Sequence, residues 1–365
     1  MKIALVHDYL AEYGGAERVL EALHELYPDA PVYTAFVNQK GLGIHWSKFA
    51  DWDLRETWLS KIPWHTKLYS PLRIWAPKYF KDLDLSAYDV VISSSNAYFA
   101  KAVRVPNGVH LCYCHTPARS LYGYTTMSNW QSNPLTRVPG QLINHFLRMV
   151  DFEVAQEVDQ FIANSQETAF RIEKFYRRDS VIVYPPVRIP EKSPQRNNQA
   201  YYLYVNRLAL AKHPELAVQA CNSLKLPLKV VGEGKMLHQL KQQAGPTIEL
   251  LGAVDDKTLS ELYAGAQALL YPVEDEDFGI VPVEAMGYGV PVIAHNSGGP
   301  KETVIDGKTG VLFDQLSAAG LQQAIKRAED IQFVPEKIHQ HAQKFSVNAF
   351  KKNIQKLVKT AKKHS

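Results

Sequence analysis

Cysteine is scarce. Three residues in a chain of 365, an odd number, do not make a disulfide framework and point to a reducing compartment. No stretch of 18 apolar residues occurs, so no spanning helix is expected. The opening MKIALVHDYL has one Lys, a short apolar run and no small-residue cleavage pattern, and it reads as a first strand rather than a signal peptide. The dinucleotide pattern G-x-G-x-x-G is missing after the strands: Val231-Gly232-Glu233-Gly234 supplies two glycines, but Leu237 stands in the third place, which argues against a dehydrogenase. Short internal repeats and long low-complexity tracts are absent. From Val90 to Val150 there is no Asp or Glu at all.

What is present is ordinary for a globular protein of two domains: 46% hydrophobic and 21% charged residues, with a net charge of +4 that argues weakly for anionic partners. Short β-rich runs alternate with helical patterns. Strands are expected at 2–8, 89–95, 110–115, 160–165 and 180–187. Ala16, Val19, Leu20, Leu23, Leu26 and Tyr27 share one helical face, and Pro28 ends that helix. The segment RIPEKSPQRNNQA at 188–200 is poor in apolar residues and reads as a linker. Strands then resume at 201–206, 226–232, 247–252, 266–272 and 290–295. Repeated βα units imply parallel sheets with right-handed crossovers. The expected fold is α/β, with two doubly wound domains, 1–187 and 201–344, facing across a cleft that holds the site. The final stretch reads as a basic helix, about 345–365, packing back on the first domain through Phe345, Phe350, Ile354, Leu357 and Val358.

Four groups of residues could carry chemistry. In EDEDFGIVPVEAMGYGVPVIA, Pro282 suits a first helical turn and Gly289 stops the helix. The turn around Phe278, Gly279 and Ile280 then offers a helix N-terminus to an anion. Glu276 before that turn and Glu284 within the helix suit vicinal hydroxyls, because a carboxylate accepts two hydrogen bonds well. Arg207 and Lys212 follow the strand 201–206 and could clamp a diphosphate, although loop charges are commonly solvated. Gly14 and Gly15 lie between the first strand and first helix, where a ligand could approach the backbone or a simple turn could form. His115 ends a strand, in CYCHTPARSLYGY. Cys112, Cys114 and His115 lack a second ligand pair for zinc. Asp275 and Asp277 could hold magnesium beside a diphosphate, but the two cations already supply positive charge there. No metal is expected.

The spacing E-x7-E from Glu276 to Glu284, together with NRLALAKHPEL, GGAERV, CHTPARSLY, ANSQETAFRI and SGGPKETVIDGKTGVLF in that order, resembles retaining glycosyltransferase family 4, over essentially the whole chain. The resemblance implies a GT-B fold of two Rossmann-like domains and the transfer of a hexose from a nucleotide-sugar, with retention by a front-face route and no metal. It implies catalytic roles for His115, Arg207, Lys212 and Glu276. Donor contacts would come from Gly14, Gly15, Arg207, Lys212, Glu276, Phe278, Gly279, Ile280 and Glu284, and acceptor contacts from Asp8, Tyr9, Arg119 and Tyr122. The family usually has Gly where this chain has Asp277, a change that bears on sugar preference. HTPARSLY favours GDP-mannose, with UDP-glucose the alternative. No cofactor is expected; the nucleotide-sugar is a substrate.

The segment KIPWHTKLYSPLRIWAPKYFK, 61–81, has five Lys or Arg, no acid and five aromatic rings. Such a mixture suits an anionic membrane surface, or aromatics covering the sheet. The expected acceptor is a glycan or lipid-linked glycan of surface-polysaccharide assembly, and nucleic acid is not an expected partner. The expected location is cytoplasmic, peripheral on the inner face of the plasma membrane. A sugar-nucleotide 2-epimerase would convert donor without acceptor, and a nucleotide-sugar sensor would bind without turnover.

Overall fold

The computed structural model describes residues 1–124, 134–192 and 200–361. The chain divides into two compact units, Met1–Pro186 with Phe350–Ser365, and Val187–Ala349. Part of the expected linker, 193–199, and the end of the expected C-terminal helix, 362–365, lie outside the described residues.

The first unit is built on a seven-stranded parallel sheet: β1 (Ile3–His7), β2 (Val32–Thr34), β3 (Leu54–Glu56), β4 (Val90–Ser95), β5 (Val109–Cys114), β6 (Gln160–Ala163) and β7 (Ser180–Ile182). Their order across the sheet is β3-β2-β1-β4-β5-β6-β7. β1, β4 and β5 are buried almost throughout, as expected for a parallel sheet covered on both faces. The helix Gly15–Leu26 follows β1 and buries Val19, Leu20 and Leu23 against it, with Glu17 also buried in its first turn. Phe350, Ile354 and Val358 of the helix Val347–Ala361 join the same core. Phe345 does not share that face. It lies in the preceding 3-10 turn and packs edge-on against Phe278 in the second unit.

The second unit has a six-stranded parallel sheet: β8 (Tyr201–Val205), β9 (Leu228–Val231), β10 (Ile248–Gly252), β11 (Ala266–Tyr271), β12 (Val292–His295) and β13 (Gly310–Phe313), ordered β10-β9-β8-β11-β12-β13. The start of the expected linker belongs to this unit. The Val187 N–H donates to Phe345 O at 3.0 Å, Ile189 lies over Gly287, and the Pro190 carbonyl accepts from Gln343 Nε2.

In each sheet the order reverses once along the chain, at β1/β4 and at β8/β11. The helices leaving the two strands on either side of such a point diverge to opposite faces, which opens a crevice at the carboxyl ends. These ends are residues 7–8 and 95–96 in the first unit, and 205–206 and 271–272 in the second.

Candidate active site

In the second unit the expected residues collect at that point. Lys212 lies in the 3-10 turn Leu210–Lys212 after β8, and its carbonyl accepts from the buried Tyr204 hydroxyl at 2.8 Å. Its ammonium donates to Glu276 Oε2, and Tyr271 at the end of β11 donates its hydroxyl to the same oxygen at 2.9 Å. Burial, then the Glu276 charge, raises the Tyr271 phenol well above its ordinary value, so it stays a donor. Lys212 and Glu276 are both largely screened from solvent, and each neutralises the charge of the other. Arg207 is exposed in the same loop.

The acidic loop is shaped by glycines further along. Gly298 has φ +55°, and a Cβ there would stand 2.2 Å from the Glu276 carbonyl oxygen. The Gly299 N–H donates to that oxygen at 2.8 Å, and a Cβ on Gly299 would meet Phe278 O at 2.0 Å. Ser297 Oγ accepts from the N–H of Asp275, whose φ is +54°. The motif Ser297-Gly298-Gly299 is therefore a backbone clamp on residues 275–278. Gly279, φ +84°, turns the chain into the helix Ile280–Gly287, which has no side-chain cap. Its first-turn N–H groups have no intrahelical partner and carry the positive end of the helix dipole. Glu284, one turn on, accepts from the Tyr263 hydroxyl at 3.1 Å. Asp277 is half-buried on this loop, between Glu276 and the buried Phe278.

The glycines of Val231-Gly232-Glu233-Gly234 have a packing role. A Cβ on Gly232 would stand 1.9 Å from Asn206 O, and one on Gly234 would stand 2.2 Å from Leu208 O. They let the loop after β9 seat the loop that carries Arg207.

In the first unit, the carboxyl end of β4 holds three consecutive buried serines, and each has a polar partner. Ser93 Oγ meets His110 Nε2 at 2.8 Å, Ser94 Oγ lies between His7 and His115, and Ser95 Oγ accepts from the Lys101 N–H. His115 is buried, its ring edge-on to Tyr113, and its carbonyl accepts from Asn164 Nδ2 at 2.7 Å. Burial above all lowers its pKa to about 3, so the imidazole is neutral; His7 adds to this only when it is itself protonated. Gly14 caps the helix Gly15–Leu26, and its N–H donates to Glu17 Oε2 at 2.8 Å. Gly15 is exposed.

Three acceptor expectations change. The Asp8 carboxylate is buried and accepts the N–H groups of Asn96, Tyr98 and Ala100 at 2.8, 3.0 and 2.8 Å. With three backbone donors on its oxygens, it holds the loop after β4 rather than presenting itself to a sugar. Tyr9 stacks on Phe36 and meets Tyr98 edge-on, as part of the aromatic packing. Tyr122 stacks on Phe175 and donates its hydroxyl to Asp151 at 2.9 Å. Asp151 also takes the buried Lys101 ammonium at 2.5 Å, so Tyr122 helps satisfy a buried ion pair. Arg119 lies half-exposed in the turn after His115.

Cys112 and Cys114 point into a core of Ala155, Val158, Phe161 and Tyr176, and burial pushes the Cys112 thiol up to about 12. Among the described residues, no group of three or more His, Cys, Asp or Glu is placed to hold a metal. The tyrosines that orient Lys212, Glu276 and Glu284, and the serines behind His115, escape a reading of the sequence alone. Their only local signal is a hydroxyl inside a buried strand or helix.

Comparison with known proteins follows the same lines. Residues 187–362 match the family model "Glycosyl transferases group 1". The α-1,3/1,6-mannosyltransferase ALG2 of Candida glabrata is 26% identical over 371 residues, covering 84% of this chain and 78% of that protein. The sucrose-phosphate synthase of Thermosynechococcus elongatus superposes with a TM-score of 0.72 at 18% identity, covering 100% of both chains. The Anabaena protein HepE, in complex with UDP and glucose, gives 0.70 at 19% identity, covering 98% of this chain and 99% of that one. These solved structures share the GT-B fold of two parallel-sheet Rossmann-like domains.

Proposed function

The chain is a group 1 glycosyltransferase acting on hexoses, and from that premise we propose that it moves mannose from GDP-mannose to a glycan or lipid-linked glycan with retention of configuration. The observation that carries the reading is the Lys212–Glu276–Tyr271 cluster at the β8/β11 switch point, beside the helix N-terminus at Gly279–Ile280. A donor diphosphate draws the Lys212 ammonium and the Arg207 guanidinium onto its oxygens, and the helix dipole adds to that attraction. Glu276, relieved of Lys212 and still bonded to Tyr271, then accepts from sugar hydroxyls. Glu284, steadied by Tyr263, accepts from the ribose. His115 serves the transferred sugar, and the first unit carries the acceptor.

In the front-face route the bond from the anomeric carbon to the phosphate oxygen breaks. The acceptor oxygen bonds to that carbon on the same face, and the departing phosphate oxygen takes the acceptor's proton. The chain's contribution is positioning and stabilisation of the leaving phosphate by fixed cations, with no metal required. Mannose is favoured by the similarity to a mannosyltransferase over most of both chains. UDP-glucose is the alternative, as HepE was solved with UDP and glucose.

An acceptor anchored in lipid fits the surface of the first unit. Trp64 and Trp75 are 73% and 52% exposed, and Leu142 and Phe146 on the helix Pro134–Gln156 are 69% and 50% exposed. Arg73 donates to Ser120 Oγ, Asn144 to Ser120 O and Arg148 to Leu121 O, so both segments border the turn that follows His115. Tyr79 and Phe80 of the same basic stretch are buried in the core, so only part of its aromatic content is available to a membrane.

The test is a thermal-shift comparison of GDP-mannose and UDP-glucose, followed by NMR of the product. GDP-mannose at a hundred times its Kd should stabilise by about 2.7 kcal/mol. The product should be α-linked, and Lys212→Ala should lower kcat by about 10²–10³. An inverted product overturns retention. Donor conversion without acceptor supports an epimerase instead, and binding without turnover supports a sensor.

A further inference from the structure

A chain of buried polar groups runs behind His115 and takes no direct part in the chemistry above. The Gly14 N–H donates to Glu17 Oε2 at 2.8 Å, and Glu17 Oε1 lies 3.4 Å from His7 Nε2, a long contact. His7 Nδ1 is 3.0 Å from Ser94 Oγ, and Ser94 Oγ is 2.8 Å from His115 Nε2. His7, Glu17, Ser94 and His115 are all buried. His115 Nδ1 makes no hydrogen bond among the described residues.

The serine hydroxyl has one proton and can donate to only one of the two rings. The direction of the chain is therefore decided at its far end. A carboxylate only accepts, so a neutral His7 facing Glu17 carries its proton on Nε2 and leaves Nδ1 bare. Ser94 then donates to His7 Nδ1, and its oxygen accepts from His115. The His115 proton must be on Nε2. Its neutral ring, kept so by burial, is left with a lone pair on Nδ1.

We propose that Glu17, His7 and Ser94 are positioning residues that hold His115 as the Nε2–H tautomer, so that its Nδ1 accepts a hydrogen bond from a hydroxyl of the transferred sugar. The last clause rests on His115 being the sugar-facing residue; the tautomer itself does not. Glu17 also closes the cap of the helix Gly15–Leu26 through Gly14, so one carboxylate ties the shape of the glycine turn to the acceptor character of His115. The chain is reversible. In Glu17→Gln the amide oxygen keeps the Gly14 N–H, and its NH2 faces His7 Nε2. His7 then carries its proton on Nδ1 and donates to Ser94. Ser94 donates to His115 Nε2, and the His115 proton moves to Nδ1.

The test is a long-range 1H–15N NMR spectrum of protein labelled in its imidazoles, at a pH where the spectrum shows both His7 and His115 to be neutral. The His115 signals are assigned by their loss in His115→Asn. The Nε2–H pattern is expected in the wild type and the Nδ1–H pattern in Glu17→Gln. Ser94→Ala should populate both tautomers, and Ser94→Thr should restore the first. An Nδ1–H pattern in the wild type, or the wild-type pattern surviving in Ser94→Ala, overturns the proposal even if Glu17→Gln fails to fold. The spectra do not depend on turnover. The expected patterns in a protein that transfers no sugar would leave the tautomer standing and remove the functional reading.

Discussion

His110 is buried, with Nε2 on Ser93 and Nδ1 without a partner among the described residues. Burial lowers its pKa from 6.5 to about 3. The unfolded chain therefore binds a proton at pH 6.5 that the folded chain refuses down to about 3. Stability is complete above 6.5 and falls as the pH drops through that window, by about 1.4 kcal/mol per pH unit for one such group. Urea denaturation of the wild type and His110→Gln between neutral and mildly acidic pH should show a flatter slope in the variant; equal slopes would mean that His110 takes its proton without unfolding. At this scale much of the candidate site is legible. Glu276 and Glu284 stand out by their spacing, and Arg207 and Lys212 by their place after a strand. Asp8 misleads because its sequence neighbours do not reveal the three N–H groups, about 90 residues away, that occupy it.

Elements are read well where they are long or strongly patterned. The helix Gly15–Leu26 and the buried strands β1, β4, β5, β8 and β11 follow from apolar periodicity and from β-branched runs. β2 and β3, of three residues each, and β13, of four, are too short to have a period. They are strands because a neighbour supplies their ladder, as β1 does for β2. The loop Ser297–Gly299 is the element on which the acidic turn depends most. In Gly298→Ala the new Cβ meets the Glu276 backbone, so residues 275–278 must move. Chemical denaturation should show a loss of about 1–3 kcal/mol, and donor affinity should fall at least about tenfold. Gly307, at φ +74° with open space around its Cβ position, is the control: Gly307→Ala should cost only about 1–2 kcal/mol of backbone strain and leave donor affinity unchanged. Equal donor affinity in both variants would remove the clamp from the account of the site.

Over the whole molecule, each unit places its polar residues at the carboxyl side of its own sheet, and the last helix returns Phe350, Ile354 and Val358 to the core of the first unit. No helix among the described residues is long and apolar enough to cross a membrane. If the exposed tryptophans and the apolar stripe of the helix Pro134–Gln156 meet lipid, the protein should sediment with vesicles containing anionic lipid and stay in solution with neutral ones. Binding should weaken as salt screens the basic residues. Trp64→Ala with Trp75→Ala should lower the bound fraction several-fold while leaving the Tm nearly unchanged, because both rings already face water. A double variant that binds as the wild type does would assign the patch elsewhere.

The sequence by itself determined the α/β class, the two parallel sheets and the chemical character of the donor residues. Helix and strand periodicity, and the carboxylates and cations at strand ends, are written within a few positions of one another. Only the tertiary structure decided which polar groups meet. His7, Ser94 and His115 come together because β1 pairs with β4 in a register that sets His7 opposite Ser94, while β5 runs alongside β4 and ends at Cys114, one residue before His115. They are separated by 87 and 21 positions in the chain. No local pattern encodes a register between strands so far apart; the packing of whole sheets does.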